Sequence, residues 1–222
     1  MKPALIFDLD GTLVDSVGDC AAILGAMRAE RGDPRPIDLG ALRPLMSRGG
    51  AAMVAAILGA AARDTVQDLA EFRTRYADYD TPVSSLFPGV AAGLASLHAA
   101  GFALAVCSNK PQHLCERVLA DVRLARLFDV IVGATPDRRP KPAPDLIALT
   151  LSQLDRAAAE CCYIGDSELD HQAAAATDVP FAFVRYGYAD PSWHAIDCPG
   201  FDRFSQLVDH FCDARAAQTR VV

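Results

Sequence analysis

Three features are missing from this 222-residue sequence: long apolar runs, zinc-type cysteine pairs and an excess of basic residues. No apolar run reaches the roughly 20 residues of a transmembrane helix. None of the seven cysteines shows CxxC spacing, so we expect reduced thiols in a cytoplasmic protein. The formal net charge of −7 argues against general affinity for nucleic acid or membrane surfaces. We therefore expect a soluble, cytoplasmic protein that binds neither nucleic acid nor membranes.

Charged residues are also few, at 22%, whereas hydrophobic residues make up 51% of the chain. This balance predicts an extensive core and argues against disorder. The length allows one large domain or two small ones. An acidic protein that binds an anionic substrate would need a local basic pocket or a metal ion.

No strand pattern occurs between about residues 17 and 80, where helix-forming runs are separated by turns rich in glycine and proline. We expect Ser16 to cap the first of these helices. Helices that follow a single strand in this way suggest an insertion. The predicted domains are a helical insert over residues 15–84 and a core over residues 1–14 and 85–222.

Beyond the helical block, short apolar runs alternate with helical patterns, which is typical of a parallel sheet with right-handed crossovers. The fold class that we predict is therefore α/β. The predicted strands are at residues 4–7, 102–107, 130–132, 161–164 and 181–184.

Polar side chains follow several of these strands. Asp8 and Asp10 come directly after the first strand, Ser108 follows a later one, and Asp166 another. Ligands of open α/β sheets bind beyond the carboxyl ends of the strands, so these groups are expected to converge there. Lys141 lies between two prolines in a loop that could reach the same edge.

This set has the chemistry of a phosphoryl-transfer site. The oxygens of Asp8, Asp10 and Asp166 suit Mg²⁺, an ion that also binds phosphate oxygens. Ser108 and Lys141 would supply a donor and a positive charge for the same phosphate, and a carboxylate is available as nucleophile.

Each member also has an ordinary structural explanation. Asp10 precedes a glycine, a common hairpin-turn signal. Ser108 and Asp166 could be helix caps, and Lys141 could be a solvated loop residue. Their joint occurrence, in this order along the chain, favours the functional interpretation.

The residues quoted above fall in four motifs that resemble those of the haloacid dehalogenase-like phosphatases. These are FDLDGT at 7–12, CSNK at 107–110, KP at 141–142 and GDSELD at 165–170. The resemblance covers essentially the whole chain. It implies a Rossmann-like parallel sheet core, flanked by helices, with an all-helical cap domain inserted after the first strand.

The resemblance also implies roles for individual residues. Asp8 would attack phosphorus to form an aspartyl phosphate, and Asp10 would protonate the leaving alcohol and then activate water. Asp8, the main-chain carbonyl of Asp10, and Asp166 would bind the Mg²⁺ cofactor, while Asp170 would orient its water shell or Lys141. The residues implied in substrate binding are Thr12, Ser108, Asn109 and Lys141.

Within this superfamily, Asp10 distinguishes the chain from the dehalogenases, which lack that aspartate. The absence of lysine from residues 15–84 excludes the Schiff-base chemistry of phosphonoacetaldehyde hydrolase. Cys20 stands where β-phosphoglucomutases carry histidine, which argues against a mutase. With these three groups set aside, the chain resembles the bacterial phosphoglycolate phosphatases, notably at residues 15–19, 86–90, 108–111 and 186–188.

The resemblance implies a small phosphorylated metabolite as the partner, with 2-phosphoglycolate the leading substrate, and a monomer or homodimer. Pyrophosphatases and sugar- or nucleotide-phosphate phosphatases share all four motifs and stay as alternatives. An inactive phosphate-binding interaction protein also stays as an alternative. The retained motif residues weigh against it, and these are Asp8, Asp10, Ser108, Lys141 and Asp166.

The cap glycines Gly49 and Gly50 have two interpretations. They could simply separate two helices. Alternatively, they could let the backbone approach the substrate, with Arg48 binding a carboxylate on the leaving group. The cap of related enzymes carries Gly-x-Gly here, so the Arg48-Gly49-Gly50 sequence leaves substrate identity open.

Overall fold

A computed structural model describes residues 2–190, 192–193 and 197–219. Its six strands form one sheet in the order β3-β2-β1-β4-β5-β6, and every neighbouring pair is parallel. The strands are β1 (Ala4–Phe7), β2 (Ala103–Pro111), β3 (Val130–Ala134), β4 (Cys161–Gly165), β5 (Phe181–Val184) and β6 (Gly200–Phe201).

Strand β1 lies at the centre because its residues are apolar on both faces. All four are buried, and alternate side chains enter different cores. Leu5 and Phe7 join the apolar cluster on one face, and Ala4 and Ile6 join the cluster on the other. Ala4 is in register with Ala103 of β2 and with Cys161 of β4. A strand buried on both faces fits a parallel sheet covered by helices on both sides.

Nine α-helices accompany the sheet within the described residues. They are α1 (Val17–Glu30), α2 (Leu39–Leu42), α3 (Gly50–Leu58), α4 (Thr65–Ala77), α5 (Val90–Ala99), α6 (Gln112–Asp121), α7 (Asp145–Leu154), α8 (Glu168–Ala175) and α9 (Phe204–Thr219). None of these helices combines the length and hydropathy of a membrane-spanning segment.

The predicted α/β fold class, with a parallel sheet flanked by helices, is confirmed. Between β1 and α5 the described residues form helices and no strand. Helices α1, α3 and α4 of this region pack on one another. The apolar cluster on one face of the sheet continues into these helices. The division into a core and a cap stays a prediction, and residues 1, 191, 194–196 and 220–222 of the predicted core lie outside the described residues.

Two local expectations need correction. Ser16 precedes α1 as predicted, but its side chain makes no capping hydrogen bond. The residue has φ −81° and ψ 5°, whereas capping residues usually adopt extended backbone angles. The strand over 181–184 is not the last, because the two-residue strand β6 pairs with it. A pair of residues carries too little alternation to be recognised from sequence.

A buried ion pair ties α1 to α4. Arg31, at the end of α1, donates to Asp68 at 2.7 Å and to Glu71 at 2.6 Å, and also to the carbonyl of Ala61. The Arg31 and Asp68 side chains are only 5% and 2% exposed. Removing one partner of such a pair leaves a buried charge without its counterion.

We therefore expect Arg31→Ala to lower the free energy of unfolding by about 3 kcal/mol, measured by urea denaturation. Arg35→Ala is the matched control, because Arg35 pairs with Asp33 while its side chain is 79% exposed. The control should cost no more than about 1 kcal/mol. Equal losses for the two variants would contradict a structural role for the Arg31 ion pair.

Candidate active site

The candidate site lies at the carboxyl edge of the sheet, where the strand order changes direction between β1 and β4. Ligands of doubly wound sheets bind at this kind of position. Asp8 follows β1 directly, and its backbone N–H donates to the carbonyl of Ile164 in β4 at 2.9 Å. This bond extends the strand pairing by one residue and fixes the direction in which the Asp8 side chain leaves the sheet.

Lys141 is the buried cation of the site. Its ammonium donates to Asp170 Oδ1 at 2.6 Å, to the Tyr163 hydroxyl at 2.7 Å and to the Cys107 carbonyl at 3.2 Å. Burial alone would lower the pKa of Lys141, but Asp170 and then Asp8 more than offset it, so the pKa lies above its usual value. Lys141 therefore stays charged although its side chain is only 1% exposed.

The loop that carries Lys141 is held from β2. Asn109 uses both ends of its amide on the Lys141 main chain, accepting from the N–H at 2.7 Å and donating to the carbonyl at 3.0 Å. Ser108 precedes it, is buried and lines the same cavity. Asn109 thus fixes the position of the Lys141 main chain relative to β2. Asn109 also lines the cavity itself.

Asp8 pairs with Lys141 by charge rather than through a hydrogen bond. Its Oδ1 lies 3.0 Å from the ammonium, yet this buried oxygen accepts no hydrogen bond from the described residues. Burial raises the pKa of Asp8 to about 6, against the opposing effect of Lys141, and Asp170 and Asp10 add to the rise. Asp8 is therefore ionised at neutral pH and keeps lone pairs free.

Asp166 is enclosed on all sides. Its Oδ1 accepts from the Thr12 hydroxyl at 3.1 Å and its Oδ2 from the backbone N–H of Tyr188 at 2.6 Å. Burial first, and then the charges of Asp170 and Asp8, raise its pKa well above the usual range. A cation bound nearby would relieve this repulsion.

Asp8, Asp166 and Asp170 each offer an oxygen within 4.8 Å of the others. Asp170 is already engaged, because its Oδ1 meets Lys141 and its Oδ2 accepts from the hydroxyl and N–H of Ser167. Asp8 and Asp166 are the carboxylates with capacity left over. A buried, all-oxygen donor set with unrelieved negative charge fits a hard divalent cation.

Asp10 faces a second lysine. Lys110 Nζ lies 3.0 Å from both Asp10 carboxylate oxygens and 4.0 Å from the centre of the Tyr76 ring. Burial alone would lower the pKa of Lys110, but Asp10 reverses this and raises it well above the usual value. Lys110 thus connects the carboxylate beyond β1 to helix α4.

Four residues at the site have no role predicted from the sequence: Lys110, Tyr76, Tyr163 and Tyr188. One signal could have singled out Lys110: the chain has three lysines among its 21 basic residues, and the other two are Lys2 and Lys141. The tyrosines carry no such signal, because tyrosines are common core residues. Only the tertiary structure brings them to the site.

Two predicted substrate-binding residues lie elsewhere. Thr12 is fully buried and supports Asp166 instead of lining the cavity. Arg48 does not line it either, since its side chain is 59% exposed and lies 3.8 Å from Asp190. Gly49, with a φ of 86°, turns the chain between Arg48 and α3. Gly49 and Gly50 do line the cavity, whereas the adjacent Arg48 does not.

The cavity above the carboxylates has about 890 Å³ of empty space, part of it open to solvent. Its floor contains Asp8, Asp10, Ser108 and Lys141, all from the ends of strands or from the loop between β3 and α7. The opposite wall comes from the helical block and is mainly apolar. Its larger side chains are Met46, Met53, Leu69, Phe72, Arg73 and Tyr76.

Comparison with known proteins gives consistent matches over most of the chain. A family model described as haloacid dehalogenase-like hydrolase matches residues 5–184. A phosphoglycolate phosphatase of Xanthomonas campestris is 39% identical over 202 residues, covering 86% of this chain and 89% of that protein. The N-acetylmuramic acid 6-phosphate phosphatase of Pseudomonas aeruginosa is 34% identical over 209 residues, covering 93% and 90% respectively.

Among solved structures, a predicted phosphoglycolate phosphatase from Haemophilus somnus superposes with a TM-score of 0.82 at 24% identity. The match covers 95% of this chain and 98% of that chain. At this level of identity the likeness supports the fold alone. The sequence matches support the predicted resemblance.

The close approach of Gly187 to Asp166 leads to a stability prediction. A Cβ atom at Gly187 would lie 2.3 Å from Asp166 Cβ and 2.4 Å from its Oδ2, so the side chain would have to move. We expect Gly187→Ala to lower the free energy of unfolding by about 1–3 kcal/mol, measured in urea. Gly18→Ala is the control, because nothing lies within 4 Å of that position in α1. The control should be neutral or stabilising by up to about 1 kcal/mol, and a neutral Gly187→Ala would contradict the enclosed site.

Proposed function

The chain belongs to the haloacid dehalogenase-like hydrolase family and is a phosphoric monoester hydrolase, and we propose that it acts through an aspartyl phosphate at Asp8. The observation that carries the proposal is the ionised Asp8, with a lone pair free, beside the buried ammonium of Lys141. We further propose that 2-phosphoglycolate is the substrate, in line with the named activity of the Xanthomonas relative.

In the proposed first step, a carboxylate oxygen of Asp8 attacks phosphorus and the bond to the leaving oxygen breaks. Asp10 enters this step protonated, gives its proton to that oxygen and becomes the carboxylate that Lys110 holds. In the second step, Asp10 removes a proton from water, which attacks the same phosphorus and releases phosphate and the Asp8 carboxylate. Asp10 suits this double role because it lies two residues beyond Asp8, with its side chain 24% exposed at the cavity.

Lys141 and Ser108 are the proposed binding groups for the phosphoryl oxygens, with Asn109 holding Lys141 in place. A fixed ammonium stabilises negative charge without reorganising during the reaction. Lys110 holds Asp10 at the cavity edge through both carboxylate oxygens.

We propose Mg²⁺ as the cofactor, with Asp8, the main-chain carbonyl of Asp10, and Asp166 as the protein ligands. The enclosed acidic pair of Asp8 and Asp166 fits an oxygen-binding cation, and Thr12 and Tyr188 orient Asp166 for that role. When bound, Mg²⁺ would neutralise phosphate charge and so ease the approach of a carboxylate to a dianion.

A second candidate substrate is a sugar phosphate, because the Pseudomonas relative is named for N-acetylmuramic acid 6-phosphate. The cytoplasm is the proposed location, and the seven free thiols suit a reducing compartment. A panel of small phosphate esters, assayed at low concentration, would separate the substrate classes.

We expect Asp8→Asn to reduce turnover of 2-phosphoglycolate to the background of the assay, because an amide is a poor nucleophile toward phosphorus. Circular dichroism and thermal melting should confirm that the variant is folded. Asp155→Asn is the control for the same change of side chain, because Asp155 follows α7 and does not line the cavity. Residual activity of Asp8→Asn above a few per cent would overturn the nucleophile assignment.

We expect Mg²⁺ to raise the melting temperature of the protein and EDTA to reverse the rise, because the cation relieves repulsion between Asp8 and Asp166. At a hundredfold excess over its Kd, the ligand would stabilise the fold by about 2.7 kcal/mol. Asp166→Asn should lose most of the Mg²⁺-dependent shift, and hydrolysis should stop in EDTA. An identical Mg²⁺ shift in Asp166→Asn, or full activity in EDTA, would contradict the proposed metal site.

A further inference from the structure

One wall of the cavity is a single face of helix α4. Leu69, Phe72, Arg73 and Tyr76 all line the cavity, and they recur at the three- and four-residue spacing of one helical face. Two members of this face, Arg73 and Tyr76, are polar.

Arg73 is an unpaired cation at this wall. Among the described residues it has no ion pair, hydrogen bond or ring contact, and its side chain is exposed at the cavity. Arg75 of the same helix, by contrast, forms ion pairs with Glu30 and Glu71. Arg48, the residue favoured by the sequence, already faces Asp190.

The other cations of the cavity are occupied. Lys141 is paired with Asp8 and Asp170, and Lys110 with Asp10. An anionic group on the leaving side of a substrate would therefore find Arg73 as its available partner. Leu69, Phe72 and Tyr76 share this face of α4 with Arg73, so a leaving group at this wall would lie between apolar side chains and one cation.

Tyr76 adds a hydroxyl that lacks a partner. The residue is 2% exposed, and its oxygen makes no hydrogen bond within the described part of the chain. Burial holds the pKa of Tyr76 above its usual value, so the hydroxyl is protonated and can donate. A buried donor without an acceptor is costly, and a bound ligand that accepts from it recovers that cost.

We propose that Arg73 and the Tyr76 hydroxyl form a leaving-group subsite that selects phosphate esters with a carboxylate close to the ester oxygen. The proposal rests on the proposed phosphatase function and deepens it. Arg73 can bind the carboxylate through two parallel N–H groups, while Tyr76 donates one hydrogen bond from deeper in the cavity. This subsite replaces the role that the sequence suggested for Arg48.

The experiment compares hydrolysis of 2-phosphoglycolate with that of 2-phosphoglycolamide, which has the same size but no carboxylate. The wild-type protein should prefer the carboxylate in kcat/KM. Arg73→Met should lower kcat/KM for 2-phosphoglycolate by about 10- to 150-fold and remove most of the preference, the scale of a lost charged hydrogen bond. Arg73→Lys should retain part of it, because the charge remains and the second parallel bond is lost.

Arg75→Met and Arg48→Met are the matched controls, and both should keep the wild-type preference. A preference unchanged in Arg73→Met, or lost in Arg48→Met, would overturn the proposal. Wild-type protein that hydrolyses p-nitrophenyl phosphate with no preference for the carboxylate would also overturn it and leave the phosphatase function standing. Wild-type protein that hydrolyses no phosphate ester would overturn both.

Tyr76→Phe tests the hydroxyl separately and keeps the ring over Lys110. We expect KM for 2-phosphoglycolate to rise about two- to tenfold, while the melting temperature of the free protein stays the same or increases. If the hydroxyl instead stabilised the fold, Tyr76→Phe would lower the melting temperature and leave KM unchanged. Reduced stability with an unchanged KM would therefore overturn the role of Tyr76.

Discussion

The site depends on the burial of one ammonium group among carboxylates. Lys141 lies against Asp8 and Asp170 with almost no exposure to solvent, and its backbone is fixed by Asn109 from the neighbouring strand. Without this cation, three acidic side chains would face one another in a poorly solvated space. The same arrangement leaves Asp8 ionised, with an Oδ1 that accepts no hydrogen bond from the described residues, as a carboxylate nucleophile requires.

The parallel sheet explains how residues so distant in sequence come together. Each strand delivers its polar group at one edge, Asp8 from β1, Ser108 from β2 and Asp166 from β4. The convergence of these residues could be predicted from sequence, because an apolar run followed by polar residues indicates both a strand and the position where it ends. The predicted strands over 161–164 and 181–184 lie within or match β4 and β5 for the same reason.

The parts that sequence could not supply depend on where side chains point. Arg48 and Arg73 are both arginines of the helical block, and nothing in their local sequence says which one lines the cavity. Thr12 lies in the first motif, yet its hydroxyl turns inward to Asp166. The contact of Lys110 with Tyr76 joins residues 34 positions apart in the chain, in elements whose packing has no short-range pattern. Local periodicity predicts which element forms, and tertiary contacts decide which face meets the ligand.

In the proposed reaction, Asp8 carries the phosphoryl group during turnover. The most direct test is mass spectrometry of protein quenched in acid during hydrolysis of 2-phosphoglycolate with Mg²⁺, followed by peptide mapping. We expect a single added phosphoryl group on the peptide that contains Asp8, and a larger amount of it in Asp10→Asn because water is no longer activated. Rapid turnover with no phosphorylated peptide in either protein, or with the phosphoryl group on another residue, would contradict the account.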